Sequence, residues 1–325
     1  MIKTAILRAV GRRLSGAKAR PRLIILMYHR VLPRPDPLLP SLPDAQTFDM
    51  HMAQLASSFR PVSLPKAVEG LELGTLAPRS VCVTFDDGYA DNHDVALPIL
   101  RLHGVPATIF VAPGFLDGSY MWNDGVIETV RRAGDTLELD DLRLGRYRTQ
   151  TWRDKQQAVA AILGQLKYRP VSERAEKVEA LQSVTGTRPP RALMMSQSQV
   201  KALRDAGHTI GAHTMTHPIL TQAPDAVVGR ELADSKSYLE SLLDEPVDLF
   251  AYPNGNPDRD YALRHVAAVR AAGFKAAVNV SWGYADSGTD PFQLPRIWPW
   301  DRTPGRFTLR LWRTYLSGPG EVASV

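Results

Sequence analysis

Short runs of β-branched and aromatic residues alternate with helical patterns along most of this 325-residue chain. Apolar residues at helical spacing predict helices near residues 45–59, 91–103, 196–206, 224–243, 258–272 and 305–316. The runs that predict strands are Leu23–Arg30, Val81–Asp87, Ala107–Pro113, His208–Thr214, Asp248–Asn254, Ala276–Trp282 and Gln293–Trp298. Strands that alternate with helices are typical of parallel βα units. Seven such units fit a closed or nearly closed α/β barrel better than an open sheet.

One stretch interrupts this alternation. Residues 117–191 contain no convincing strand, whereas residues 152–167 and 172–184 have the pattern of helices. Barrels carry their active-site loops at the carboxyl ends of their strands, and this stretch follows the third strand. We therefore expect a helical insertion that covers the site, within a barrel of residues 23–316 that is followed by a tail of residues 317–325.

Composition and charge narrow the class of protein. Apolar residues make up 44% and charged residues 22%, which are ordinary globular values, and the single cysteine excludes an internal disulfide. The net charge is +5, but residues 1–22 contain seven Lys and Arg and no acid, so the remainder carries a net charge of −2. A globular body that is not basic disfavours nucleic-acid binding.

Residues 1–22 form a basic N-terminal arm. Arginines interrupt its apolar residues, so it lacks the continuous apolar region of a secretory signal, and we expect a cytoplasmic protein. No run approaches the ~20 apolar residues that cross a bilayer. The arm is either an amphipathic helix on the anionic inner membrane face or a solvated extension, and the sequence leaves both open.

Two short motifs carry the candidate chemistry. Thr84–Tyr89 (TFDDGY) and His213–His217 (HTMTH) each close a predicted strand. Side chains alternate faces along a strand, so Asp86 and Asp87 are expected to do different jobs. Histidines four residues apart converge if the backbone makes one helical turn, and with one carboxylate they form a metal-binding face. Alone, the first motif is usually a turn and the second a solvated helix face; their conjunction at strand ends favours a site.

These motifs resemble those of polysaccharide deacetylases of the NodB-homology type, carbohydrate esterase family four. Phe250–Gly255 (FAYPNG) stands in place of the family's third motif, and Met27–Arg30 (MYHR) resembles the opening of the branch that deacetylates exopolysaccharide. The resemblance covers roughly residues 23–300 apart from the insertion. It implies a distorted (β/α)7-type barrel and hydrolysis of N-acetyl groups.

The resemblance also assigns roles to residues. It implies that Asp87, His213 and His217 bind one divalent metal ion, with Asp86 as the general base. Imidazole and carboxylate ligands suit zinc, with cobalt, nickel, iron or manganese as alternatives. Asn254 occupies the position of the family's tyrosine, whose backbone N–H stabilises the oxyanion.

Two positions depart from the family pattern. Ala251 replaces the third-motif arginine that pairs with a carboxylate, and Arg296 stands where the family has the general-acid histidine. Because arginine is a poor proton donor, we predict that His29, at the end of the first strand, is the general acid or a substrate contact. The residues predicted to contact substrate are Tyr89, Tyr252, Trp122 and Arg296.

We therefore expect a metal-dependent hydrolase that removes N-acetyl groups from an amino sugar during assembly of an exopolysaccharide or other surface glycan. The substrate is an N-acetylated glycan or a lipid-linked sugar, with a nucleotide-linked sugar also open. Two alternatives remain: a deformylase or imide hydrolase on the same fold, and a non-catalytic carbohydrate-binding barrel.

Overall fold

Parallel strands form the centre of the fold in the computed structural model, which describes residues 21–190 and 192–324. Six of them pair side by side in the order β1-β3-β4-β7-β8-β9, and the short β2 pairs with β3. Their bounds are β1 Leu23–Tyr28, β2 Arg60–Pro61, β3 Ser80–Phe85, β4 Ala107–Val111, β7 Thr209–Ala212, β8 Leu249–Ala251 and β9 Ala276–Val278. Each of the first six predicted strands is thus present, with β3 beginning one residue earlier than expected, although β2 was missed.

The seventh predicted strand, Gln293–Trp298, is a looser segment that lies between the two edges of this sheet. Leu294 forms a parallel bridge with Val278 on β9, and Ile297 forms one with Leu26 on β1. The Met27 amide donates to the Ile297 carbonyl at 2.8 Å. The strands therefore curl into a half-barrel with helices around it, and the predicted distorted (β/α)7-type barrel is confirmed.

Alternation along the strands separates the inside of the barrel from its outer layer. On β1, Ile24 and Leu26 pack in the large outer core beneath the helices, whereas Leu23 and Ile25 belong to a second cluster with Cys82 of β3. This is the period of two that a strand imposes on its side chains. Continued past Cys82, the same alternation brings Thr84 and then Asp86 to the inside of the barrel.

Helices lie at the positions that the pattern predicts, with two further helices, α2 and α4. The bounds are α1 Ala45–Ser58, α2 Leu64–Glu72, α3 Leu97–His103, α4 Trp122–Arg132, α5 Trp152–Leu166, α6 Val171–Thr185, α7 Gln197–Asp205, α8 Asp225–Leu243, α9 Leu263–Ala271 and α10 Pro304–Leu316. A π-helical turn, Asn92–Ala96, leads into α3. No helix among the described residues is long and apolar enough to cross a membrane.

The insertion is helical, as expected, but it also contains a hairpin that the sequence did not indicate. Strands β5 (Thr136–Leu139) and β6 (Gly145–Arg148) pair antiparallel between α4 and α5. Four-residue strands give too short an alternation to be recognised. The two ends of the insertion meet, since the Asp117 amide donates to the Met195 carbonyl at 3.1 Å.

Both ends of the described chain contact the rest of the fold. Of the predicted N-terminal arm, residues 1–20 lie outside the described residues. Arg22 is described: its guanidinium donates to the Tyr315 carbonyl at 2.5 Å and stacks on the Tyr284 ring at 4.3 Å. The C-terminal tail packs against the barrel, where the Ala323 amide donates to Gln293 Oε1 at 2.6 Å.

Candidate active site

A carboxylate and two imidazoles converge where β3 and β7 end. Asp87 Oδ1 lies 3.5 Å from His213 Nε2 and 3.5 Å from His217 Nε2, and one ligand atom from each residue lies within 4.8 Å of the other two. The backbone turns sharply after β3, with φ of 76° at Asp87 and 91° at Gly88. Glycine adopts that conformation without strain, whereas Asp87 must be held in it.

The histidines meet without the helical turn that their spacing suggested. Residues 213–217 form an irregular turn in which Thr214 and His217 have φ of 59° and 55°. Thr214 Oγ1 accepts from the His217 amide at 3.1 Å, and the Glu231 carboxylate accepts from the Met215 amide at 2.8 Å. These side-chain acceptors take the place of helical hydrogen bonds. The two histidines therefore lie together as expected, but the backbone that joins them is not helical.

The donor set fits a divalent cation. Asp87 Oδ1 is buried and has no hydrogen-bond partner among the described residues, which is costly for a carboxylate oxygen unless something else satisfies it. His213 Nδ1 lies 2.7 Å from the Ala251 carbonyl. That contact assigns the proton to Nδ1 and leaves Nε2 free to ligate. Two imidazoles and a carboxylate form an open three-ligand face of the kind that catalytic zinc sites use.

Burial and the neighbouring charges shift the pKa of all three groups. Burial would lower the pKa of His213, but the carboxylates of Asp87 and Asp86 outweigh it and raise this pKa. Burial alone would raise the pKa of Asp87, but the imidazoles of His213, His29 and His217 hold this pKa well below its usual range. Burial lowers the pKa of His217 to about 3, helped by the charges of His213 and Arg174 and opposed by Asp87. The ligand set therefore contains an ionised carboxylate and a neutral His217, the forms that bind a metal ion.

Asp86 is held by a buried arginine. Arg296 Nη1 donates to Asp86 Oδ1 at 2.6 Å and Nη2 donates to Oδ2 at 2.7 Å, while Nε donates to the Asn279 carbonyl at 3.0 Å. Burial alone would raise the pKa of Asp86, but the charges of Arg296 and His213 outweigh it and keep this pKa below its usual value. Asp86 is therefore ionised and fixed in orientation.

This contact corrects the prediction that Arg296 binds substrate. Its side chain is completely buried, and all its described contacts are with the protein. Arg296 instead pairs with a carboxylate, the task that the resemblance gave to an arginine at the position of Ala251. The sequence carried only a weak signal for this, a single arginine in an otherwise apolar segment that closes the barrel.

Tyr89 and Tyr252 are also misplaced as substrate contacts. The Tyr89 hydroxyl donates to Asp124 at 3.2 Å, and the Tyr252 hydroxyl donates to the Phe292 carbonyl at 3.1 Å. Both side chains are buried, and neither lines the cavity over the metal-binding face. Both rings pack in the protein interior. A large aromatic side chain next to a strand end buries more surface when it points inward than when it lies at the rim.

Asn254 and His29 do reach the cavity. Asn254 has φ of 59°, and its backbone amide donates no hydrogen bond among the described residues, so an acceptor from a substrate can take it. His29 follows β1 and is half-buried; its charge contributes to the low pKa of both Asp86 and Asp87. The structure places both residues as predicted, and their catalytic roles remain predictions.

The catalytic cavity has a volume of about 370 Å³ and two walls of different origin. One, the strand wall, consists of Asp86, Asp87, His213 and His217 at the strand ends. The other, the insertion wall, consists of Trp122, Lys167 and Arg174. Trp122 lies where it was expected. Lys167 and Arg174 were not found from sequence, since charged residues on helices usually face solvent.

A carboxylate and two histidines at the strand ends of a barrel are a donor set that could hold a divalent metal ion. Solved structures share this fold: the Streptococcus pyogenes deacetylase PplD in complex with acetate has a TM-score of 0.60, with 20% identity over 91% of this chain and 99% of PplD. IcaB from Ammonifex degensii has a TM-score of 0.56, with 18% identity over 90% of this chain and 97% of IcaB.

Sequence comparison identifies the family. The profile of the family described as Polysaccharide deacetylase matches residues 74–277. The chain is 35% identical over 128 residues to YxkH of Bacillus subtilis (strain 168), which is provisionally named a polysaccharide deacetylase; that match spans 38% of this chain and 44% of YxkH. The chain belongs to the polysaccharide deacetylase family, which confirms the resemblance seen in its motifs.

Proposed function

We propose that this protein is a metal-dependent deacetylase that removes N-acetyl groups from an amino sugar of an exopolysaccharide or other surface glycan. One observation carries the proposal: the partnerless oxygen of Asp87 faces two histidines, directly beside a carboxylate that Arg296 keeps ionised. The family membership supports this type of reaction and a polysaccharide as substrate, and the fold is shared with the deacetylase PplD.

Asp87, His213 and His217 would hold the metal ion, and we propose zinc. When bound, such an ion polarises an amide carbonyl and brings the pKa of a water molecule from 15.7 towards ~7. The side chains are preorganised for this ligand set, because the Ala251 carbonyl orients His213 and the turn at Thr214 orients His217.

The remaining steps belong to the protein's own groups. Asp86 accepts the proton of the water that attacks the acetyl carbon, since it is ionised and lines the cavity beside the metal-binding face. The Asn254 amide donates to the oxygen that becomes negative in the transition state. His29 delivers a proton to the nitrogen as the C–N bond breaks, which releases acetate and leaves a free amine on the sugar.

The test measures metal content and acetate release on the same samples. Full-length protein is stripped with a chelator, reloaded with zinc, and incubated with N-acetylated glycans. We expect one equivalent of zinc and acetate release, with Asp86→Asn keeping the metal and losing turnover by about 10²- to 10⁴-fold. His213→Ala is expected to lose both.

The matched control is His93→Ala, at a histidine on the π-helical turn away from the cavity, which should change neither quantity. Equal zinc content in the wild type and His213→Ala would contradict the ligand assignment. Release of formate rather than acetate from matched N-acyl sugars would support the deformylase alternative, and binding without release of either would support the non-catalytic one.

We also propose that the protein contacts anionic membranes through its basic N-terminal arm. The charge of residues 1–22 supports this, since each Lys or Arg near an anionic surface contributes about 1 kcal/mol. An enzyme held at a membrane reaches lipid-linked glycans more readily than one in bulk solution.

A further inference from the structure

Arg174 is a buried cation with no anionic partner in the part of the chain that the structure describes. It lies on α6, its exposed fraction is 5%, and its guanidinium stacks on the Trp122 ring at 4.7 Å from the centroid. Its one hydrogen bond within the described residues is a long one, from Nη1 to the Lys167 carbonyl at 3.4 Å. Burial lowers the pKa of Arg174, and no nearby carboxylate opposes that shift. Most of its five N–H donors are therefore available to a ligand.

Lys167 brings a second cation to the same cavity. It caps the end of α5 and is half-buried, and its Nζ makes no hydrogen bond or ion pair with any described side chain. Asp260 is the carboxylate whose charge acts on Lys167. Its oxygens already accept hydrogen bonds from the Tyr168 hydroxyl at 3.0 Å and from the Asn256 amide at 3.0 Å. The ammonium group lies 5.5 Å from the centre of the Tyr168 ring, a contact that leaves its N–H donors available to a ligand.

The charges of the cavity do not balance locally. Among the described residues that line it, the acids are Asp86 and Asp87; the first is neutralised by Arg296 and the second faces the imidazoles. Arg174 also borders a neighbouring cavity that contains Glu179, but these two residues are not within ion-pair distance in the described structure. Two cations on the insertion wall are thus left for something that enters from outside.

Burying a guanidinium is unfavourable unless an anion or several acceptors compensate it. Stacking on Trp122 holds the guanidinium plane in place, and a fixed planar fork matches the oxygens of phosphate and carboxylate groups. The cavity is of the size that small-molecule sites have, so both walls can contact one sugar unit.

We propose that Arg174 and Lys167 form an anion-binding subsite, and that the sugar deacetylated on the strand wall carries a negatively charged phosphate or carboxylate group that these residues bind. The proposal rests on the proposed function and narrows its substrate to acidic glycans. A phosphate would come from a lipid- or nucleotide-linked sugar, and a carboxylate from a neighbouring uronic acid.

The test measures binding in the absence of metal, so that no metal ion can capture the anion. Chelator-treated full-length protein is titrated by ligand-observed NMR with N-acetylglucosamine, N-acetylglucosamine 1-phosphate, and a disaccharide of N-acetylglucosamine and glucuronic acid. We expect at least one charged probe to bind tenfold or more tightly than the neutral sugar. Whichever probe gains identifies the source of the anion.

Variants assign that gain to the two residues. Arg174→Gln should abolish most of the difference between charged and neutral probes, Arg174→Lys should retain part of it, and Lys167→Gln should reduce it independently. The matched control is Arg153→Gln, an exposed arginine at the start of α5 that does not line the cavity and should change nothing. Thermal melting of each variant identifies any that fails to fold, in which case Lys167→Gln decides.

Equal affinity of the wild type for charged and neutral probes would overturn the subsite, as would a preference that survives both neutralising substitutions. Each result can be told apart from failure of the proposed function. Acetate release from neutral glycans without any anion preference leaves the deacetylase standing and removes the subsite. Anion preference without acetate release from any glycan leaves the subsite standing and removes the deacetylase.

Discussion

The two walls of the catalytic cavity are built on opposite principles. On the strand wall, short contacts fix the reactive groups: Arg296 donates twice to Asp86, and the Ala251 carbonyl orients His213. On the insertion wall, Lys167 and Arg174 carry charges that no carboxylate of the described residues pairs with. The protein's own contacts orient the reactive groups of the strand wall, whereas the cations of the insertion wall are left for the anion of the proposed subsite. The residues proposed to carry out the reaction thus lie on one wall, and those proposed to select the substrate lie on the other.

The hydrophobic cores divide along the same line. The strand wall lies at the ends of the barrel strands, and the side chains of these strands pack in the large outer core and in the inner cluster. The insertion has a separate cluster of buried residues, and almost all of them belong to the insertion itself. Substitutions in one unit therefore need not disturb the packing of the other, so the insertion wall can change while the strand wall stays constant.

The largest expected effect comes from breaking the strand wall at its buried ion pair. Arg296→Met removes the only cation that faces Asp86 at hydrogen-bond distance within the described structure and leaves a buried carboxylate uncompensated. Breaking such a pair from one side costs about 3–5 kcal/mol. We expect the free energy of unfolding of the metal-free protein, measured with urea, to fall by about that amount.

The control for this prediction is Arg131→Met, which breaks a half-exposed pair with Asp36 and should cost about 1 kcal/mol or less. The double variant Asp86→Leu with Arg296→Met should recover much of the loss, because no unpaired charge remains. A loss for Arg296→Met no larger than that for Arg131→Met would show that the pair does not hold the strand wall together.

The ion pair also shows where prediction from sequence stops. The ends of β3 and β7 gave Asp86, Asp87 and His213 correctly, because strand periodicity and the direction of a parallel sheet place them at one rim. Arg296 pairs with a residue 210 positions away, and no local pattern encodes such a contact. The turn at residues 213–217 was misjudged because threonine and Glu231 side chains stabilise a left-handed backbone that helical spacing does not anticipate.

Replacing the insertion tests the other wall. Its ends meet at Asp117 and Met195, so residues 119–190 can be replaced by a short Gly/Ser linker without moving the barrel. We expect zinc content to stay at one equivalent and KM for the preferred glycan to rise at least about tenfold, which corresponds to about 1.4 kcal/mol of lost binding. The measurement is steady-state acetate release together with metal analysis.

A matched control substitutes Arg131 and Tyr168, which join the insertion to the barrel through Asp36 and Asp260, without deleting anything. It separates loss of the wall from loss of its attachment. If the linker protein unfolds globally, the insertion is part of the barrel core and the two walls are not independent units.

Sequence reasoning located this insertion and two of its helices but not its chemistry. The break in the strand rhythm was clear, and α5 and α6 had the expected helical pattern. Lys167 and Arg174 were missed because a basic residue on a helix is ordinarily exposed, and only the packing of Trp122 over α6 shows that Arg174 is buried. Burial of a charge depends on tertiary contacts, which a single sequence does not display.

The smallest effect on the site is expected from the basic arm, because it lies far along the chain from both walls. A variant lacking residues 1–20 loses six Lys and Arg but keeps Arg22, which packs on Tyr284 and Tyr315. Acetate release from soluble glycans should change by less than about twofold. The affinity for vesicles containing anionic lipid should fall at least about tenfold at low salt, since each of the six basic residues contributes up to about 1 kcal/mol before screening. Vesicles of neutral lipid, and high salt, should remove the difference between the two proteins.

Identical sedimentation with anionic vesicles at low salt would show that the arm does not contact the membrane. A large loss of acetate release would show that the arm reaches the walls of the cavity after all.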